Sequence, residues 1–234
     1  MVDPKSYLSV ILPVYNEEGS LKPLYEEMKD VFQRFDHLYE IIFVNDGSTD
    51  NTPQILESFH KADPAHVRII TQTQRQGQTQ ALKSGFGQAQ GEYVFTLDAD
   101  LQNDPQEIGF MLKILKDRDL DCICGWRQAR RDTFLKAKLS KLGNILQRLL
   151  TGLRVHDVSC TLRGYHRRVL DKIPLNWEGQ HRFIPLSLAL QKAKIDEVIT
   201  NHRPRVFGES KYHHKRIFRV MIDFFRVLLT GGRK

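Results

Sequence analysis

Phe95-Thr-Leu-Asp-Ala-Asp-Leu-Gln-Asn-Asp-Pro105 is an apolar run that empties into carboxylates. On a strand, residues i, i+2 and i+4 share a face. Asp98, Asp100 and the Gln102 amide can therefore turn three hard oxygen ligands toward one ion at the strand's carboxyl end. Mg²⁺ or Mn²⁺ suits such ligands, above all when substrate phosphates complete the shell. The same residues also read as a solvated turn leading into a helix, with Asp104 as N-cap and Pro105 in the first helical position. The surrounding sequence has to show what the carboxylates serve.

Upstream, Leu8-Ser-Val-Ile-Leu-Pro-Val14 and Tyr39-Glu-Ile-Ile-Phe-Val-Asn45 are short apolar runs rich in β-branched residues, the pattern of strands buried on both faces. Val67-Arg-Ile-Ile-Thr71 is a third strand, and the run into Asp98 is the fourth. Leu120-Asp-Cys-Ile-Cys-Gly-Trp126 reads as another, with Cys122 and Cys124 as small core hydrophobes on one face. Between the strands lie helical patterns: about residues 21 to 35, with Ser20 as N-cap, and a second opened by Pro53 after Asp46-Gly-Ser-Thr-Asp-Asn-Thr52. In Arg75-Gln-Gly-Gln-Thr-Gln-Ala-Leu-Lys-Ser-Gly85, small residues Gly77, Ala81 and Gly85 share a helix face and let the helix approach its neighbour or a ligand closely.

Strand and helix alternating at this rhythm predict an α/β fold with a mostly parallel central sheet and helices on both faces. Ligands of such sheets gather beyond the carboxyl ends of the strands, which brings Tyr15, Glu17, Asp46, Asp98 and Asp100 to one rim. No Gly-x-Gly-x-x-Gly follows the first strand and no Gly-x-x-x-x-Gly-Lys occurs, so neither a dinucleotide nor a P-loop site is supported. Nucleotide binding through carboxylates and metal remains.

The 234 residues suffice for one large domain, or for one domain with an appendage. The net charge of +7 is uneven: residues 127–154 hold eight basic residues and one acidic, residues 202–234 hold nine and two, and the remainder is acidic. Two basic segments on an acidic body suggest an anionic partner: phosphate groups, a membrane surface or nucleic acid. They also read as plain solvated helix faces. Three cysteines make neither a disulfide framework nor a Cys-x-x-Cys knuckle, and no charged-then-apolar leader opens the sequence, so it reads as cytoplasmic.

Val10-Ile-Leu-Pro-Val-Tyr-Asn-Glu-Glu18, Val44-Asn-Asp-Gly-Ser-Thr-Asp-Asn-Thr52 and Asp98-Ala-Asp-Leu-Gln102 stand in this order. Together they resemble family 2 glycosyltransferases with a GT-A nucleotide-sugar fold. Within that family the similarity is to the dolichol-phosphate mannosyltransferase group and its bacterial polyprenyl-phosphate relatives, over about residues 7 to 225. The resemblance implies that Pro13, Tyr15 and Glu17 line the nucleoside pocket and that Asp46 hydrogen-bonds the base. It implies that Asp98 faces the nucleotide, with Asp100 and Gln102 as ligands of Mg²⁺ or Mn²⁺. Tyr15 also reads as a core-edge aromatic, and Asp46 as a turn-forming residue before Gly47.

After Trp126 comes Arg127-Gln-Ala-Arg-Arg131, then Leu135, Leu139, Leu142, Leu146 and Leu149 at helical steps, with Lys136, Lys141, Asn144 and Arg148 largely off the stripe. A basic amphipathic helix of this kind can pack on the core, pair with a second copy or lie at a membrane interface, and core packing suits the stripe best. By resemblance, Arg127 and Arg131 sit where related enzymes hold the acceptor phosphate. Asp157-Val-Ser-Cys-Thr-Leu-Arg-Gly-Tyr165 and His181-Arg-Phe-Ile-Pro185 resemble acceptor-side loops, which makes Arg163 a further phosphate contact. Asp157 and His181 either contact the sugar, order the site, or are satisfied structural polar groups. In Asn201-His-Arg-Pro-Arg-Val-Phe-Gly-Glu-Ser-Lys-Tyr212, Arg205, Ser210 and Lys211 match a phosphate-contacting segment, and Gly208 permits a tight loop over the pyrophosphate.

Residues 215 to 230 are apolar but interrupted by Arg219, Asp223 and Arg226 on one helical stripe, too short and too charged to span a bilayer. They suit a helix in the headgroup region or one docking on a partner. The expected organisation is a GT-A catalytic domain over residues 1–212 and a basic amphipathic helix over residues 213–234. Bacterial relatives commonly continue here into transmembrane helices, whereas this sequence ends at Gly231-Gly-Arg-Lys234.

The activity implied is inverting transfer of a sugar from a nucleotide diphosphate sugar to a polyprenyl monophosphate, peripheral on the cytoplasmic face of the membrane. Arg205 and Lys211 would help the cation stabilise the leaving diphosphate. A lipid phosphate is already anionic, which accounts for the absence of a dedicated general base. Transfer to a saccharide or protein hydroxyl is the alternative and would recruit Asp157 or another carboxylate as base. A nucleic-acid-binding module is remote, since no zinc knuckle, RNP-type string or aromatic-interleaved basic stretch is present.

Overall fold

β1 (Leu8–Val14), β2 (Tyr39–Asn45) and β3 (Val67–Thr71) run residue for residue over the three apolar runs. They belong to a computed structural model that describes residues 8–35, 38–128, 151–153, 155–204 and 216–230. Adding β4 (Tyr93–Thr96), β5 (Cys122–Trp126), β6 (Arg163–His166) and β7 (Ile195–Ile199) gives one seven-stranded sheet in the order β3-β2-β1-β4-β6-β5-β7. All pairings are parallel except those of β6, which is antiparallel to β4 and β5. The chain builds outward from β1 in one direction through β2 and β3, then in the other through β4. The crevice between β1 and β4 is thus a topological switch point, where α/β sheets bind ligands.

Helices α1 (Leu21–Phe32), α2 (Thr52–Ala62) and α4 (Glu107–Asp117) bury Met28, Phe59 and Met111 against one sheet face, which presents Val10, Leu12, Phe43 and Phe95. On the other face, α3 (Gln78–Gln88), α5 (Ile184–Leu190) and α6 (Arg216–Thr230) cover Ile11, Val44, Val94, Cys122 and Cys124. Strand alternation assigns β1 residues to the two layers in turn, as the period of two requires. The helix expected to reach residue 35 stops at Phe32, and Ser20 sends its hydroxyl to Glu17 rather than to the helix amides.

The small-residue face of α3 is used. A Cβ on Gly85 would lie 2.5 Å from Ile11 Cγ2, so the helix approaches β1 as closely as a missing side chain permits. Gly85→Ala gains about 1 kcal/mol of helix propensity but overpacks this contact at about 1–3 kcal/mol. The expected outcome is a thermal midpoint roughly 2–4 °C lower. A rise would mean that β1 yields to the helix.

Candidate active site

The chain leaves β4 two residues before Asp98, so Asp98 to Gln102 lie on an extended bend beyond the strand and not on it as the spacing suggested. Alternation persists all the same: Leu97, Ala99 and Leu101 are buried in the core, and Leu101 takes φ +63° to keep it so. The intervening Asp98, Asp100 and Gln102 occupy the rim. Asp98 is bridged between Gln78 Nε2 (2.8 Å) and Thr161 Oγ1 (2.8 Å). Asp100 accepts from its neighbour's amide, Gln102 N, at 3.2 Å. Burial, then the adjacent Asp100 charge, push the Asp98 carboxyl up to about 6, while the Thr161 hydrogen bond and the Arg127 and Arg163 charges pull it down. The bend thus sets two carboxylates close together beyond β4, hard oxygen groups of the kind that suit a divalent cation.

Asp104 accepts from Gln106 N through its side chain (3.1 Å), but this shapes the turn before the helix: the N-cap of α4 is Gln106 and its first residue is Glu107, so Asp104 and Pro105 each lie two positions ahead of the place expected of them. Arg203 then ties this turn down. Its amide donates to Gln102 O (2.9 Å), and its guanidinium bridges Glu27 and Asp104.

The other two strings interlock with each other. Asn16 N donates to Ser48 Oγ, Glu17 N to Thr52 Oγ1 and Glu18 N to Asp50 Oδ2, while Thr49 N donates back to Asn16 Oδ1. Much of the polar content of these strings therefore serves to weld the loops after β1 and β2 into one floor. Above it, the Arg75 guanidinium lies 4.2 Å from the Tyr15 ring centre. The Glu17 carboxylate accepts from Ser20 Oγ. Buried Asp46 accepts from the amides of Gln76 and Gly77, shaping the turn into α3. Pro13, Gln78, Thr96, Asp98, Thr161, Arg163 and His181 together line a narrow void of about 10 Å³ below the rim.

On the far side of Asp98, Arg127 at the end of β5 forms a two-pronged pair with Asp157 (2.7 and 3.0 Å) and reaches Ser159 Oγ (2.8 Å). Burial alone would raise the Asp157 carboxyl; its hydrogen bonds and charge pairing with Arg127 hold it below the usual range instead. Asp157 thus orders the rim through Arg127.

Among the described residues, Arg163 lies deeper than the other arginines of the rim. As the first residue of β6, which returns antiparallel between β4 and β5, it is 3% exposed and points inward. Its terminal nitrogens donate to His181 O (2.8 Å) and Val158 O (2.6 Å), so it braces two loops beside the void next to Asp98. His181 is buried and pairs through Nδ1 with Thr79 Oγ1 (2.6 Å). Arg131, Arg205, Ser210, Lys211 and the leucine-striped segment lie outside the described residues. Sequence reasoning missed Gln78 and Thr161, which hydrogen-bond Asp98 among the described residues. Thr161 lies inside the string beginning at Asp157, but nothing local reveals that it reaches back across 63 residues.

A mostly parallel seven-stranded sheet with helices on both faces and an acidic tip beyond β4 is the GT-A architecture of nucleotide-sugar glycosyltransferases. The chain belongs to glycosyl transferase family 2, whose pattern matches residues 9–174. Dodecaprenyl-phosphate galacturonate synthase of Rhizobium johnstonii is 37% identical over 224 residues, 94% of this chain and 66% of that protein. Among solved structures, glucosyl-3-phosphoglycerate synthase from Mycobacterium tuberculosis in complex with UDP superposes with a TM-score of 0.70 at 19% identity. That match covers 97% of this chain and 80% of the other. The same enzyme with Mn²⁺, UDP-glucose and phosphoglyceric acid gives 0.69 at 19% identity, covering 97% and 80%.

Proposed function

We propose that this chain transfers a sugar from a nucleotide diphosphate sugar to a polyprenyl monophosphate with inversion at the anomeric carbon. The observation that carries the reading is the placement of the Asp98–Asp100 tip and the Arg127–Asp157 pair on one rim at the β1/β4 switch point. One side offers carboxylates for a metal-bound diphosphate, the other a cation for an anionic acceptor. The relative named for galacturonate transfer to dodecaprenyl phosphate supports the acceptor class and makes UDP-galacturonate the first donor to test. Neighbours solved with UDP and Mn²⁺ support the donor class.

Asp100 and Gln102 would hold Mg²⁺ or Mn²⁺, which when bound supplies positive charge beside the departing diphosphate. Tyr15, Pro13, Glu17 and Asp46 form the nucleoside end of the rim, with Arg75 stacked over Tyr15. Asp98, steadied by Gln78 and Thr161, orients the donor. Arg127, released from part of its pairing with Asp157, would draw in the acceptor phosphate with Arg131 and Ser210, while Arg205 and Lys211 would help stabilise the leaving diphosphate. An oxygen of the lipid phosphate forms the new bond to the anomeric carbon as the bond to the donor's β-phosphate oxygen breaks, and the nucleotide diphosphate leaves with the electron pair. A phosphate monoester is largely ionised at neutral pH, so no proton has to be removed and positioning carries the rate.

Docking at a membrane surface belongs to the same reading. α6 packs Val227 and Asp223 inward and turns Ile222, Phe225 and Leu229 to the outside, the last 88% exposed. An apolar face outside a basic segment fits the headgroup boundary of an anionic bilayer. No helix among the described residues is long and apolar enough to cross a membrane.

With radiolabelled donors, label is expected to enter the organic phase only when polyprenyl phosphate is supplied, to stop with EDTA and to return with Mn²⁺. Label passing instead to a water-soluble hydroxyl acceptor without lipid phosphate would overturn the acceptor assignment.

A further inference from the structure

The stretch Gln76-Gly-Gln-Thr79 at the head of α3 is gripped from two sides. Asp46 takes the amides of Gln76 and Gly77 from the sheet side. From the other side comes Glu178, a residue of the loop before α5, whose Oε2 accepts from Thr79 N at 3.0 Å. α3 carries no side-chain cap of its own, since its N-cap is Gly77, so the carboxylate that caps it is borrowed from about a hundred positions away. Gly77 is needed for this: it sits at φ +98°, and a Cβ there would collide with the Glu178 carboxylate. The loop is clasped again one residue on, where Gly179 N donates to Thr79 Oγ1 (2.9 Å) and His181 pairs with the same hydroxyl. Its outer side is backed by α6, the Arg226 guanidinium lying 4.0 Å from the Trp177 ring centre.

Between the two grips stands Gln78, whose amide reaches Asp98 Oδ1. We propose that Glu178 is a positioning residue of the donor site, holding the head of α3 so that Gln78 meets Asp98 and Asp46 keeps its loop. This rests on the reading of the acidic tip as the nucleotide-sugar site. Two consequences follow from the chemistry. The positive end of α3 is already filled by a protein carboxylate, so the donor's diphosphate is left to the acidic tip and its cation. Glu178 is itself exposed, so its removal takes little from the fold and its effect is felt mainly through Gln78.

The test uses the whole chain with three substitutions at Glu178, one at Gln78 and one double variant. Glu178→Ala is expected to lower kcat about tenfold and to weaken UDP binding in the presence of Mn²⁺ by a similar factor, with KM for the lipid phosphate unchanged. Glu178→Gln keeps an acceptor oxygen at the same place and is expected to recover to within about threefold. Glu178→Asp keeps the charge but withdraws it by one methylene, and is expected to behave like the alanine variant. Gln78→Ala should match Glu178→Ala, and the double variant should be no worse than the larger single loss. Wild-type kcat and UDP affinity in Glu178→Ala, or losses that multiply in the double variant, would overturn the proposal. Calorimetric titration of UDP with Mn²⁺ needs no acceptor, so it separates the two readings. If wild type binds UDP but transfers nothing to lipid, the acceptor assignment fails while the clamp is still read. If wild type binds no UDP, the donor site and the clamp fall together.

Discussion

Asp100→Ala is expected to lower kcat by about 100- to 1,000-fold while leaving the thermal midpoint within roughly 4 °C of wild type. The two halves of the expectation have separate causes. Asp100 is a buried carboxylate on the rim whose adjacent charge helps push Asp98 upward, so it is costly to the apo fold and serves best when a cation is present. The bend that carries it is held by Leu97, Ala99 and Leu101 in the core and by Arg203 against Gln102 O, none of which depends on the Asp100 side chain. Asp100→Asn keeps one hard oxygen and should fall between the two. Initial rates against Mn²⁺ concentration, together with a circular-dichroism melt, decide the matter. Wild-type rates in Asp100→Ala would remove the metal from this site altogether.

Glu40→Ala should do the reverse, costing about 3–5 kcal/mol of stability and leaving kcat intact well below the melting transition. Glu40 is the second residue of β2, at the amino end of the sheet, opposite the rim. It is 1% exposed and accepts from Ser9 Oγ (2.6 Å), Gln90 N (2.7 Å) and Arg68 Nη1 (2.7 Å). Truncation strands an amide and a hydroxyl and leaves the Arg68 guanidinium only its bonds to Gln88, which at this chain length predicts a midpoint lower by roughly 6–20 °C. A midpoint within about 2 °C of wild type would mean that water replaces the carboxylate. Paired with Asp100→Ala, the result separates the carboxyl edge of the sheet, where chemistry is expected, from the amino edge, which supports the fold.

Both sites show where a linear reading succeeds and where it stops. β1 and β2 match their runs to the residue because a strand buried on both faces needs a near-continuous apolar stretch, and β3, at the sheet edge with only Val67 fully buried, matches as well. β6 had no such signal. Arg163-Gly-Tyr-His166 is polar by composition and becomes a strand only because β4 and β5 offer it edges on both sides. The burial of Arg163 was hidden for the same reason: only the register of β6 turns it inward onto the carbonyls of Val158 and His181. The Asp98–Asp100–Gln102 spacing was expected to lie on a strand face, but the three residues sit on a bend beyond β4, held by Leu101 in the core.

By itself, the sequence determined the α/β class, the order of the early strands, the family and the identity of the acidic tip. Each of these is written in short-range periodicity or in a contiguous string. Tertiary structure alone decided which polar groups serve one another: Gln78 and Thr161 on Asp98, Asp157 on Arg127, Glu178 on the head of α3, and Glu40 beneath the sheet. A hydrogen bond spans about 3 Å whatever the separation along the chain, and a charge becomes buried or exposed through the neighbours that strand register brings to it. No local pattern in the residues records either.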